Sequence, residues 1–204
     1  MDCVKIGKLI RKLRMERGMS QRELALGLGV LPKTVSKWEC GMGCPDLSNW
    51  LRLSELLEAD LAQLLQGEIT PNPTNVGAVQ RSRFYVCPVC QNLLVSTGAP
   101  VISCCGHTLQ PLVPASQATA PALSVQPLDG ELYVTLDHPM EKGHFISFMA
   151  YVTGDLVFVR KLYPEQDCAV RFPFLSPRGN LYVYCVQDGL FVYSRPFAHG
   201  NLNP

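Results

Sequence analysis

The chain has 204 residues, 47% of them hydrophobic, and a formal net charge of +1. This fits two or three small domains with packed cores and excludes the disordered and collagen-like classes. No long uncharged apolar run opens the chain, because lysines and arginines interrupt its first leucines and isoleucines; no signal peptide or membrane span is expected, and the expected location is cytoplasmic. Nine cysteines make an odd number, and four of them fall in one short stretch. This argues for metal ligands in a reducing compartment and against a secreted disulfide scaffold.

The basic charge is concentrated at the front: residues 1–38 hold nine Lys/Arg against Asp2, Glu16 and Glu23, a net of +6. Such a patch attracts phosphate, although a basic helix is often only a solvated face. Ile6, Leu9, Ile10 and Leu13 recur at helical spacing and stop at Arg17-Gly18, which predicts a first helix. Ser20-Gln21-Arg22-Glu23 reads as a capping box opening a second helix with Leu24, Ala25 and Leu28, closed by Gly29. Pro32, suited to a first helical position, opens a third through Thr34, Val35, Trp38 and Glu39, ended by Gly41. Pro45-Asp46 opens a fourth through Leu51, Leu53, Leu56 and Leu57, and Asp60-Leu61 starts a short fifth.

Two short helices around a tight turn at Gly29-Val30, the second offering small and basic side chains, suit a DNA major groove. The run from Met19-Ser-Gln-Arg-Glu-Leu-Ala to Trp38-Glu39, followed by Cys44-Pro45-Asp46-Leu47, resembles the Cro/repressor-type helix-turn-helix family over residues 4–66. The resemblance implies a five-helix DNA-binding domain at 1–66 with Pro32 to Glu39 as recognition helix. It also implies that Gln21, Lys33, Thr34 and Lys37, with Ser36 as an addition, contact bases or phosphates of double-stranded DNA. Leu31 replaces the serine that many relatives have at the N-cap of this helix, and Cys40 stands where a polar residue is common. Leu24, Ala25, Val30, Val35 and Trp38 are expected in the core.

Residues 67–83, rich in Pro, Gly and Asn, mark a linker. From Phe84 to residue 114 a small knuckle is expected, with Cys87-Pro-Val-Cys90 in one turn and Cys104-Cys105 in another. Four thiolates gathered in this way hold tetrahedral iron or zinc, and the spacing does not choose between the two. His107 lies near, but four thiols already complete a tetrahedron. Cys3, Cys40, Cys44 and Cys168 are expected to be ordinary thiols. A Pro/Ala/Ser-rich stretch runs from Pro111 to Pro127. Alternation then predicts strands at Leu132–Leu136, Phe145–Val152, Leu156–Leu162, Ala169–Phe174, Leu181–Val186 and Leu190–Tyr193, a small β-sandwich filling 115–204.

The order four-cysteine knuckle, sandwich, His138-Pro-Met-Glu-Lys-Gly-His144 and Tyr184-Cys185-Val-Gln-Asp188-Gly-Leu resembles desulfoferrodoxin, the two-domain superoxide reductase, over residues 84–194. The fold class implied is α followed by β: five helices, a desulforedoxin-like knuckle and an Ig-like sandwich. The resemblance implies iron at Cys87, Cys90, Cys104 and Cys105. It also implies a second iron held by histidines and an axial cysteine, of which His138, His144 and Cys185 stand at the family's spacing. Asp188 replaces one histidine, and Ala118-Thr-Ala-Pro-Ala replaces a Glu-Lys-His segment that supplies another, so two iron-ligand histidines of a competent reductase are missing. His138, His144, Cys185 and Asp188 are therefore either a residual metal site or a hairpin turn, a buried thiol and two metal-free histidines. The expected function is a DNA-binding transcriptional regulator, a homodimer on palindromic half-sites, whose C-terminal module senses redox state or metal or serves to dimerise. The alternatives are a superoxide reductase carrying an accessory helix-turn-helix, and a knuckle holding purely structural zinc.

Overall fold

The computed structural model of the protein describes residues 2–72, 79–173 and 178–197. The chain divides into two compact units, Met1–Pro71 and Asn72–Pro204.

The first unit is five helices: α1 (Cys3–Glu16), α2 (Gln21–Leu28), α3 (Pro32–Glu39), α4 (Leu47–Leu57) and α5 (Leu61–Gln66). Their ends follow the chemistry of the capping residues. The Asp2 carboxylate accepts from the amides of Val4 and Lys5 at 3.0 and 3.1 Å, satisfying donors that the first helical turn leaves open. The expected capping box at α2 is present: the Glu23 amide donates to Ser20 Oγ at 3.2 Å and the Ser20 amide to Glu23 Oε2 at 2.6 Å. Gly29 ends α2 in the left-handed region, with φ +69°. Helix α4 starts at Leu47, with Asp46 as its N-cap, so Pro45 stands outside it.

Ile6, Ile10, Leu24, Ala25, Val35, Leu53, Leu57 and Leu64 fill the core of this unit. Gly7 lets α1 lie directly on the end of α3, because a Cβ there would stand 1.9 Å from the Trp38 carbonyl oxygen. Two of the cysteines expected as ordinary thiols are bonded: Cys3 and Cys44 form a disulfide with Cα atoms 5.1 Å apart. The turn after α3 folds back over the first turn of α1, where Gly41 leaves room for Val4. Linear spacing does not reveal this pairing across 41 residues.

The second unit opens with two hairpins, β1 (Arg83–Val86) with β2 (Leu93–Ser96) and β3 (Ile102–Cys104) with β4 (His107–Leu109). Among the described residues seven further strands follow: β5 (Leu123–Leu128), β6 (Glu131–Leu136), β7 (Ile146–Val152), β8 (Val157–Lys161), β9 (Ala169–Pro173), β10 (Asn180–Cys185) and β11 (Gly189–Ser194). They make a four-stranded sheet ordered β11-β10-β7-β8 and a three-stranded sheet ordered β5-β6-β9. One core joins the two sheets, with Leu132, Val134, Val170 and Phe172 from one and Met149, Tyr151, Leu181, Val183 and Phe191 from the other.

Strand β5 occupies the stretch expected to be irregular. Its Pro127 sits opposite Leu132 on an edge strand, where the missing amide breaks no second ladder. Strand β7 is buried at all seven positions rather than alternating. Its second face is covered by Phe84 and Leu112, which pack on Phe148, Ala150 and Val152. Within the expected linker, residues 73–78 lie outside the described residues, and Val79–Arg81 form one 3₁₀ turn. The expected strand end at Phe174 also lies outside them.

Candidate nucleic-acid interface and metal centres

Helix α3 starts at Pro32, with Leu31 as an N-cap whose side chain makes no cap hydrogen bond. Val35, Trp38 and Glu39 face inward, while Lys33 and Lys37 are exposed and Thr34 and Ser36 half-buried. Lys33 and Lys37, four residues apart, therefore share the outward side of the helix. Gln21, the remaining expected contact residue, opens α2, and its side-chain amide is turned to the protein: Nε2 donates to Glu39 Oε2 at 2.8 Å. Glu39 also accepts from Arg14, at 2.6 Å from Nε and 3.0 Å from the guanidinium. Arg14 donates in turn to the Met19 carbonyl at 2.6 Å.

This nearly dry network ties α3 to α1 and α2, and sequence reasoning missed it. Its signal was the spacing, since Glu39 follows Val35 and Trp38 on the inward side of α3. Burial pushes the Glu39 carboxyl up, but the hydrogen bonds from Arg14 and Gln21 outweigh it and hold the group below the usual carboxylate range.

In the second unit, Cys87 and Cys90 lie in the β1–β2 turn and Cys104 and Cys105 at the tip of β3–β4. Cys104 pairs with His107, leaving Cys105 and Gly106 as a two-residue turn with φ +49° and +79°. Both are left-handed, as a tight turn matched to strand twist requires. Cys90 Sγ lies 3.6 Å from Cys104 Sγ, and Cys104 Sγ lies 4.0 Å from Cys105 Sγ. All four sulfurs are within 4.8 Å of one another. A tetrahedron with metal–sulfur bonds of about 2.3 Å has sulfur–sulfur edges of about 3.8 Å, so the observed spacings fit one.

The Cys87 thiol is lowered to about 7, chiefly by the Cys90 backbone amide. Cys105 is pushed up to about 12, chiefly by its hydrogen bond with Cys90. Four thiolates this close need a cation among them to coexist. His107 is not in this group.

His138, His144, Cys185 and Asp188 make a second cluster, also within 4.8 Å. A two-residue hairpin, with the amides of Glu141 and His144 each donating to the other's carbonyl at 3.0 Å, brings His144 back beside His138. A register shift between Tyr184 and Cys185 re-aims Cys185, whose sulfur accepts from the amides of Gln187 and Asp188 at 3.3 Å each. Cys185 pairs with Gly189. The hairpin loop is therefore the three residues Val186–Asp188, not a two-residue Asp-Gly turn.

His138 Nδ1 lies 2.6 Å from the Pro139 carbonyl oxygen, which only accepts, so Nδ1 carries the proton and Nε2 presents its lone pair. That lone pair faces Asp188 Oδ2 at 3.2 Å, and His144 Nε2 faces the same oxygen at 2.7 Å. His138 Nε2 and Asp188 Oδ2 are thus placed either to share a proton or to face one metal ion. The hydrogen bond to His144, then that to His138, holds Asp188 below the usual carboxylate range despite some desolvation, while burial pushes Cys185 up. The donor set of two nitrogens, one oxygen and one sulfur suits zinc or ferrous iron.

A helix-turn-helix family model matches residues 10–64. The chain is 25% identical over 125 residues to a desulfoferrodoxin homolog of Methanothermobacter thermautotrophicus, covering 55% of this chain and 98% of that relative. It is 41% identical over 56 residues to a putative HTH-type transcriptional regulatory protein of Methanocella arvoryzae, covering 28% of this chain and 17% of that relative. Among solved structures it is similar to the superoxide reductase from Treponema pallidum, at 17% identity and a TM-score of 0.47, covering 55% of this chain and 97% of the other. The first unit thus carries a helix-turn-helix, and the β-rich region with its cysteine cluster is desulfoferrodoxin-like. No helix among the described residues is long and apolar enough to cross a membrane.

Proposed function

We propose that this chain is a sequence-specific DNA-binding transcriptional regulator whose desulfoferrodoxin-like module senses metal or redox state, or dimerises it. The observation that carries the reading is the covalent joining of two parts: a helix-turn-helix with Lys33 and Lys37 on the outward side of α3, and four thiols at tetrahedral spacing. In this reading Lys33 and Lys37 neutralise phosphates, and Thr34, Ser36 and the free face of the Gln21 amide reach base edges. A homodimer would present two α3 helices to a palindromic site in the cytoplasm.

Cys87, Cys90, Cys104 and Cys105 would hold one metal, which as iron supplies one-electron chemistry and as zinc a structural clamp. The two hairpin tips carry these thiols, so losing the ion releases the β1–β2 turn from the β3–β4 turn. His138, His144, Cys185 and Asp188 would hold a second ion. Their clustering is the observation that keeps superoxide reduction as the competing reading, with Asp188 replacing one histidine and Ala118–Ala122 supplying no ligand.

The test is binding of metal-loaded, metal-free and oxidised chain to duplexes selected from a randomised pool. Specific binding that differs between these states supports the regulator. Failure to select any duplex removes the DNA-binding reading, and superoxide consumption by ferrous-loaded protein would put the enzyme in its place.

A further inference from the structure

Cys3 and Cys44 belong to neither metal cluster. Cys3 is the first residue of α1, and Cys44 lies in the turn between α3 and α4, four residues past Cys40, which caps α3. Both are half-buried, within reach of a small thiol or a redox protein, whereas Cys168 and Cys185 are buried. Their Cα separation of 5.1 Å is ordinary for a disulfide. No rearrangement of the helices is needed to close the bond.

The position of the bond gives it leverage on α3. The Gly41 amide donates to the Trp38 carbonyl and the Met42 amide to the Lys37 carbonyl, both at 2.9 Å. The turn is thus an extension of the last turn of α3. Past Met42 the chain runs through Gly43, at φ +151°, to Pro45. Backbone hydrogen bonding of the connection resumes with the Asn49 amide donating to Asp46 at 2.9 Å. Asp46 caps α4 without a side-chain hydrogen bond. The disulfide fixes this stretch to α1, and so fixes the segment that continues the backbone of Lys37.

We infer that Cys3 and Cys44 are a reversible thiol–disulfide modification site that sets DNA affinity from within the helix-turn-helix unit, independently of the metal-binding half. The inference rests on the DNA-binding reading of α3. Reduction by a dithiol is thiol–disulfide exchange. One thiolate of the reductant attacks a sulfur of the pair and expels the other, and its second thiol then resolves the mixed disulfide. The protein ends with two thiols and the reductant as its own disulfide, two electrons and two protons having passed from reductant to protein. The reverse reaction needs a small-molecule or protein disulfide as oxidant. The oxidised form, with its turn already ordered, loses less freedom on docking and binds more tightly.

The experiment uses the full metal-loaded chain and a fluorescent duplex selected from a randomised pool by the oxidised protein. Affinity is measured before and after dithiothreitol, with metal content checked to be unchanged and Cys3 and Cys44 followed by differential alkylation and mass spectrometry. Reduction is expected to weaken binding by about fivefold or more. Cys3→Ser should bind like the reduced chain and ignore dithiothreitol, and Cys40→Ser should keep the full response. The reduced wild type reports the open pair without any substitution, and circular dichroism confirms that its helices persist. Equal affinity in both states overturns the inference alone, as does a response that persists in Cys3→Ser. A chain that selects no duplex in either state overturns the DNA-binding reading with it.

Discussion

Replacing Glu39 by alanine should destabilise the helical unit by about 3–5 kcal/mol, the cost of leaving one partner of a buried ion pair without the other. The structure supplies the reason for a figure this large. The Glu39 side chain is 2% exposed and that of Arg14 is 10% exposed. Glu39 accepts three hydrogen bonds, two from Arg14 and one from Gln21. Without the carboxylate, Arg14 keeps its bond to the Met19 carbonyl but holds its charge between helices with no counter-ion.

Both tryptophans, Trp38 and Trp50, lie in this unit, so tryptophan fluorescence in urea reports its unfolding alone. With a slope of about 1 kcal/mol per molar urea for a unit of this size, the midpoint should fall by roughly 3 M or more. The pH dependence gives a second check. Because the carboxyl sits below its ordinary value in the folded state, its contribution is complete above the unfolded value of about 4.3 and is lost as pH falls through the folded value. Glu39→Gln has no such titration, so the stability gap between wild type and Glu39→Gln should close as the solution is acidified below about pH 4. A cost under about 1 kcal/mol for Glu39→Ala, or a gap that stays constant with pH, would refute the claim that this pair holds α3 in place.

Lys33→Ala and Lys37→Ala should each weaken binding to any duplex and reduce the slope of log affinity against log salt by about 0.9, if each lysine neutralises one phosphate. An unchanged slope removes that lysine from the interface. Gly7→Ala should leave the helical unit unfolded at room temperature by tryptophan fluorescence, since its Cβ would meet the Trp38 carbonyl oxygen at 1.9 Å, a backbone atom that cannot step aside. Cys90→Ser should lower metal content by one ion per chain in elemental analysis and speed hydrogen exchange in β1 to β4. Asp188→Ala should remove a different ion, leaving the thiolate-to-metal absorption of the four-cysteine site intact in cobalt-loaded protein. Equal loss from both substitutions would mean that the two clusters do not bind independently.

The helical unit was legible because its boundaries are written in local chemistry. Ser20 with Glu23, Pro32, Asp60 and the glycines act within four residues, and the apolar spacing between them has a single period. The four cysteines were legible for a similar reason, since two turns must bring a Cys-x-x-Cys and an adjacent pair together for either to be useful. Features that depend on distant segments were not legible. The Cys3–Cys44 bond needs the turn after α3 to fold onto α1. The uniform burial of β7 needs Phe84 and Leu112 from another part of the second unit. Strand β5 was hidden by composition, because Pro127 reads as a breaker until the strand is known to be an edge. The pairing of Glu39 was hidden because its partners, Arg14 and Gln21, are 25 and 18 residues away.

Charge and burial explain why the two clusters lie where they do. Four thiolates around a divalent ion carry a net charge of about −2, which is costly to desolvate. That cluster sits at hairpin tips with Cys90 and Cys105 exposed, and the Asn92 side-chain amide lies 3.9 Å from Cys104 Sγ as a donor. Two neutral imidazoles, one thiolate and one carboxylate around a divalent ion sum to about zero, which tolerates burial. In that cluster Cys185 is buried and the His138 side chain 4% exposed, while the Asp188 side chain, at 40%, stays open to solvent. In the proposed second site Asp188 would do more than stand in for a histidine: by supplying the second negative charge, it would make the set electroneutral around a divalent cation. Asp188→His would leave that assembly with about one positive charge at the edge of the sandwich core, and Asp188→Asn should weaken divalent binding while keeping the shape of the site. Loss of the ion in Asp188→Asn with the fold intact would assign the role to charge, and retention at full stoichiometry would assign it to the two histidines and Cys185 alone.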